Sequence, residues 1–128
     1  MMQASAYALH LLCGCALLAA FFAVYTKITP FNEIALIREG NVAALLSVTG
    51  AAIGFCLTVV SSILHNDTFW MFFIWSLAAL AVQTAVYASL ARMMHGMDEA
   101  IEAGNAAMGG LMGALSLMVG MINAACLS

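Results

Sequence analysis

Residues 40–66, GNVAALLSVTGAAIGFCLTVVSSILHN, run for 27 positions without a charge. A helix needs about 20 mostly apolar residues to cross roughly 30 Å of hydrocarbon, and this stretch exceeds that length. Outward from it, residues 1–26, 68–91 and 103–128 also lack Asp, Glu, Lys and Arg. The whole chain is 66% hydrophobic and 7% charged, whereas a soluble domain carries roughly a quarter charged residues. One buried helix of a large soluble protein could resemble one such run. Four in succession have nothing to bury them. The expected fold is an all-α, integral membrane four-helix bundle, with spans near 5–25, 42–64, 69–89 and 106–128.

Composition also excludes several function classes. The net charge of −3 comes from a few acids between spans, and the absence of a basic patch argues against nucleic-acid binding. Cys13, Cys15, Cys56 and Cys126 fall inside apolar runs and match no metal-ligand spacing. They read as small apolar side chains. His10 and His65 lie toward one side and His95 toward the other, so facing axial ligands for haem are missing. No Ser-His-Asp, zinc, P-loop or dinucleotide pattern appears. No catalytic residue, metal or cofactor is expected, and the chain is read as not an enzyme. Met1 to Tyr25 contains no Lys or Arg, unlike the basic start of a signal peptide, so the first span is expected to stay.

Orientation rests on Lys27, Arg38 and Arg92, the only basic residues besides histidine. In a four-span hairpin topology all three fall on one side, and basic residues are retained in the cytoplasm. Loops 26–40 and 92–104 are therefore expected to be cytoplasmic, with both termini outside. Phe69 and Trp70 then sit at the outer interface, and Tyr25 is expected near the inner one.

A repeat is visible as well. Ile37-Arg38-Glu39-Gly40-Asn41-Val42-Ala43-Ala44 recurs as Ile101-Glu102-Ala103-Gly104-Asn105-Ala106-Ala107-Met108, an offset of 64, half the chain. The expected organisation is two tandem two-helix units, 1–64 and 65–128, within one membrane domain. Two helices return the chain to its starting side, so the copies share an orientation. Thr29-Pro30 reads as the opening of a short interfacial helix reaching Glu39. Gly40 can end it in the left-handed conformation. Asn41 can then cap the next membrane helix, and Gly104-Asn105 repeats the device.

Inside the spans, Asn105, Gly109, Met112, Ser116, Gly120 and Asn123 share one stripe at 100° per residue. Ser47, Gly50, Gly54, Thr58 and Ser61 form another on the second helix. Gly50-x-x-x-Gly54 and Gly109-x-x-x-Gly113 are spacings that let helix backbones approach closely. Ser76, Gln83 and Tyr87 share a face of the third helix, and an amide at Gln83 should face protein or water. Asn123 needs a partner too, from Gln83, a backbone carbonyl or a polar path. Asn41, Asn105, Ser116, Asn123 and Gln83 are thus candidates for a polar path or for helix capping. Glu33, Arg38, Glu39, Asp98, Glu99 and Glu102 are candidates for a cytoplasmic vestibule or a partner-docking surface.

The segment from Thr29 to Ala44, TPFNEIALIREGNVAA, closely resembles the characteristic loop of the YjfL-like family, and so does the ending Ile122-Asn123-Ala124-Ala125-Cys126. The resemblance covers essentially the full length. It implies four helices and a bacterial inner-membrane location in a family of unknown function. Members are often encoded near membrane-stress and polyamine-related genes, which implies an envelope role. One departure is that the second copy has Ala103 where the first has Glu39. The preferred functional reading is a homo-oligomeric channel or transporter for an ion or small solute, because four helices are too few to enclose a wide wet path. The alternative is a non-catalytic accessory subunit whose loops dock a soluble membrane-stress or polyamine-linked partner.

Overall fold

The computed structural model describes residues 2–28, 33–66, 68–94 and 96–127, which are helical apart from short turns. In chain order the elements are α1 (Met2–Ile28), α2 (Glu33–Arg38), α3 (Val42–His65), α4 (Phe69–Met93), α5 (Met97–Glu102) and α6 (Ala106–Cys126). The four long helices, α1, α3, α4 and α6, are each long and apolar enough to cross a bilayer. At 1.5 Å per residue the shortest, α6 with 21 residues, extends about 32 Å, enough for the hydrocarbon layer. Their outer faces carry large apolar side chains such as Leu12, Leu64, Trp70 and Ile122. A water-soluble protein does not leave so much apolar surface open. Trp70 points outward, as an interfacial aromatic does.

Local sequence sets the helix boundaries. Gly40 and Gly104 adopt φ of 89° and 86°, a region that costs glycine little and other residues much. Each turn hands the chain to an asparagine cap. Asn41 Oδ1 accepts from Ala44 N at 3.0 Å, and Asn105 Oδ1 from Met108 N at 3.2 Å. Thr68 caps α4 in the same way through Met71 N. The short helix expected before Gly40 is α2, ending at Arg38 rather than Glu39. Its expected opening at Thr29-Pro30 lies outside the described residues.

The centre of the bundle is the α3–α6 pair. The two helices run parallel, with Ala43 against Gly109, Leu46 against Gly113, and Gly54 against Gly120. A Cβ at Gly50, Gly109, Gly113 or Gly120 would overlap the backbone of the facing helix. The small-residue stripes therefore pack against each other. In lipid no hydrophobic force draws helices together, so close van der Waals contact is what holds this pair.

α4 lies against both central helices and buries Phe72, Ser76, Ala79, Gln83 and Tyr87. α1 is peripheral, and the buried side chains among its described residues are Leu17, Phe21 and Tyr25, one residue per turn. Phe21 stacks on Phe55 with ring centroids 5.1 Å apart. Toward the start of α1 a groove of about 660 Å³ separates it from α3, flanked by Tyr7, His10, Val59 and Ile63. α2 and α5 cover one end of the bundle. There Asn41 Nδ2 donates to Ile101 O at 2.8 Å and ties the start of α3 to α5.

Candidate functional site

The inward face of α4 is unusual for a membrane helix because it is mixed in polarity. Tyr87, Gln83 and Ser76 recur on it at helical spacing, and α3 and α6 bring Ser47, Thr58, Ser61, Ser62, Ser116 and Asn123 toward it. These groups form a polar seam inside an apolar exterior. A polar atom in such a core needs a hydrogen-bond partner, since no bulk water is there to supply one.

At the end covered by α2 and α5, three hydroxyls from three helices meet. Tyr25 donates to Tyr87 at 3.0 Å, and Ser47 Oγ lies 3.1 Å from the Tyr25 hydroxyl and 3.5 Å from that of Tyr87. Tyr25 was expected at the membrane interface. Its side chain is 2% exposed, turned into the bundle, where Ser47 and Tyr87 supply its hydroxyl with partners. Asp98 sits half-buried nearby, on α5. Desolvation by burial, and then the charges of Glu99 and Glu102, push its carboxyl above the usual range.

One turn farther along α4, Gln83 Nε2 donates to Ser116 O at 2.9 Å. Gly54 makes room for this contact, because a Cβ there would lie 2.9 Å from both Gln83 Nε2 and Ser116 O. Gln83 Oε1, Ser116 Oγ and Ser76 Oγ are buried and have no protein hydrogen-bond partner among the described residues. Asn123 Nδ2 reaches Ala79 O at 3.4 Å, which answers the requirement for a partner with a backbone carbonyl. Toward the far end, polar side chains are again satisfied. Thr58 donates to Phe55 O at 2.6 Å, Ser61 to Ala124 O at 2.7 Å and Ser62 to Phe72 O at 3.0 Å. Asn66 Nδ2 closes the series on Ser62 O at 2.8 Å.

With this architecture established, comparison with known proteins is informative. The family model described as Domain of Unknown Function (DUF350) matches residues 1–127. The chain belongs to the DUF350 family. It is similar to the UPF0719 inner membrane protein YjfL of Escherichia coli (strain K12) and to the protein of the same name in Escherichia coli O157:H7. Each is 33% identical over 123 residues, covering 96% of this chain and 93% of the relative. No solved structure matches. This DUF350 chain is therefore a multi-pass protein of the bacterial inner membrane, as the resemblance to the YjfL-like family implied.

The candidate residues separate into distinct groups. Gln83 and Ser116 come together in the seam, and Asn123 joins its edge. Asn41 and Asn105 are caps at the other end of the long helices, with Asn105 exposed. In the expected stripe from Asn105 to Asn123, Gly109 and Gly120 pack against the α3 backbone. Of the charged candidates, Glu33 is buried and Asp98 half-buried, whereas Arg38, Glu39, Glu99 and Glu102 are exposed. Sequence reasoning missed the Tyr25–Ser47–Tyr87 triangle. Tyrosine and serine at the same depth on three helices were the available signal, but the facing of α1 was not readable.

Proposed function

We propose that this DUF350 protein is a membrane transporter or channel, passing a small hydrogen-bonding species across the inner membrane along the α3–α4–α6 seam. The observation that carries this reading is the group Ser76 Oγ, Gln83 Oε1 and Ser116 Oγ, three buried polar atoms without a protein hydrogen-bond partner among the described residues. A purely structural bundle gains nothing from such groups, each costing about 1–3 kcal/mol when unsatisfied. Intramembrane polar residues concentrate on substrate and ion pathways. The closed α3–α6 interface leaves no wide path through one chain, so bulky solutes would need a pore formed between several copies.

The proposal includes the tandem duplication. Parallel α3 and α6 meet at residues about 64 apart, as Ala43 does with Gly109 and Ser61 with Ala124, and both begin at Gly-Asn caps. This supports a pseudo-twofold axis between them, along the membrane normal. It also includes cytoplasmic placement of the α2–α5 end, supported by Lys27, Arg38 and Arg92. No catalytic chemistry is assigned.

The test is flux from liposomes containing the purified full-length protein, measured for protons, potassium, chloride and glycerol. Flux of at least one species above that of empty liposomes, lowered by Gln83→Leu or Ser116→Ala, supports transport. Rates equal to those of empty liposomes for all four would refute it. A second reading is favoured by the outward-facing Arg38, Glu39, Glu99 and Glu102 at one end: docking of a soluble cytoplasmic partner by a non-transporting subunit. It predicts that charge reversal at these positions abolishes co-purification while the purified membrane domain keeps its helicity.

A further inference from the structure

We infer that Ser76, Gln83 and Ser116 bind a short cluster of water molecules in the membrane core, and that the species relayed through it is a proton. This deepens the transport reading and rests on it. Hydrogen-bond inventory comes first. One N–H of Gln83 Nε2 is committed to Ser116 O, which leaves the second N–H to donate and Oε1 to accept. Ser76 and Ser116 each offer one donor and acceptor capacity, and both side chains are at most 2% exposed. Water, with two donors and two acceptors, can satisfy all three groups; buried waters typically make about three such bonds.

Charge and space then decide what else fits. α3 and α6 contain no Asp, Glu, Lys or Arg, and the single such residue in α4 is Arg92 at its end. A dehydrated metal ion would find no counter-charge beside Gln83. It would find three neutral oxygens where hard cations take about six or more. An anion would find only two hydroxyls and one amide N–H as donors, with no cationic side chain beside them. The α3–α6 backbones also meet at Gly50, Gly113 and Gly120, so no wide path opens between those two helices beside the cluster. A proton needs no such room. Each water or serine hydroxyl oxygen releases one proton as it accepts another, while Gln83 Oε1 only accepts and so orients the water beside it; O–H bonds are exchanged along the chain and no heavy atom travels.

The neighbouring groups extend the line. Along α4, Tyr87 lies four residues from Gln83, about 6 Å, and Gln83 seven from Ser76, about 10 Å. One to three waters span each gap. Beyond Tyr87 the hydroxyl triangle comes within electrostatic reach of Glu33 and Asp98. Beyond Ser76, Ser62 and Asn66 are hydrogen-bonded to each other near the far end.

Two measurements on the full-length protein in liposomes test this. Solid-state NMR with ¹⁵N-labelled glutamine, assigned by loss of signal in Gln83→Leu, should show magnetisation transfer from water to the Gln83 amide. Proton flux, followed by an internal pH dye with valinomycin and potassium balancing charge, should exceed that of empty liposomes. It should fall roughly tenfold in Ser76→Ala and Gln83→Leu, the effect of about 1.4 kcal/mol on a barrier. Without valinomycin, potassium and chloride flux should stay at background. A dry Gln83 amide overturns the water site whatever the fluxes. A hydrated amide with potassium or chloride flux equal to proton flux overturns the proton assignment while transport stands. A hydrated amide with no flux of any species overturns both the proton assignment and the transport reading.

Discussion

Asn41 and Asn105 occupy matching places in the sequence but do unequal work. Both side-chain oxygens cap a helix, and replacing such a cap with alanine costs about 1 kcal/mol. Only Asn41 also donates across the bundle, to Ile101 O at 2.8 Å, a bond worth about another 1 kcal/mol. Asn41→Ala should therefore lower the unfolding free energy in detergent by about twice as much as Asn105→Ala. Asn41→Asp keeps the cap but loses the donor, and its carboxylate would face the Ile101 carbonyl, so it should not restore full stability. The cap was legible in the sequence because it joins residues three apart. The bridge was not, because it joins residues 60 apart and depends on where α5 settles. Asp98 makes a second residue-scale prediction. Its folded-state proton affinity is raised by burial and by Glu99 and Glu102, so its ionisation opposes folding. Stability falls as pH rises from the unfolded-state value through the folded one, then stays reduced. Asp98→Asn should raise the melting temperature at pH 7, and the gain should shrink as the buffer is acidified through the carboxylate range. A gain independent of pH would contradict this cause.

At the scale of helices, glycine placement decides the central pair. A methyl group at Gly109 or Gly120 would strike the backbone of α3, and a helix backbone cannot rotate away as a side chain can. Gly109→Ala and Gly120→Ala should each cost about 1–3 kcal/mol through separation of α3 and α6. Gly110→Ala is the internal control, since its nearest neighbour would be Leu46 Cδ1 at 3.6 Å, an ordinary contact. Unfolding midpoints in SDS titrations would show the order, and equal loss at all three positions would contradict a backbone clash as the cause, since alanine by itself favours the helix over glycine. The four spans and the two small-residue stripes could be read directly, because charge gaps and spacing are local properties. Which stripe meets which is a tertiary fact, and periodicity does not encode it. α1 was the least legible element. It is apolar all round, so nothing in its pattern announced that the face bearing Leu17, Phe21 and Tyr25 would turn inward. Gln83 was the opposite case, because an amide in a span is too costly to leave in lipid. Its inward facing followed before its partner was known.

For the molecule as a whole, the remaining asymmetry lies in charge. Exposed Lys27, Arg38 and Arg92 belong to the end covered by α2 and α5, while the α3–α4 turn and both terminal segments carry no Lys or Arg. Retention of basic residues in the cytoplasm acts on short loops near helix ends, with little help from acids, so three charges carry the entire bias. Single cysteines, introduced after removal of Cys13, Cys15, Cys56 and Cys126, report the result in whole cells. Glu39→Cys and Glu99→Cys should resist a membrane-impermeant maleimide until the inner membrane is opened, whereas Thr68→Cys should react from outside. Modification of Thr68→Cys and Glu39→Cys from the same side would dismantle the hairpin topology. If the three basic side chains set the orientation, combining Lys27→Gln, Arg38→Gln and Arg92→Gln should leave a mixed population in which each site reacts partly from both sides. Any one of these substitutions should leave most molecules correctly inserted, because the remaining two still oppose no competing positive charge.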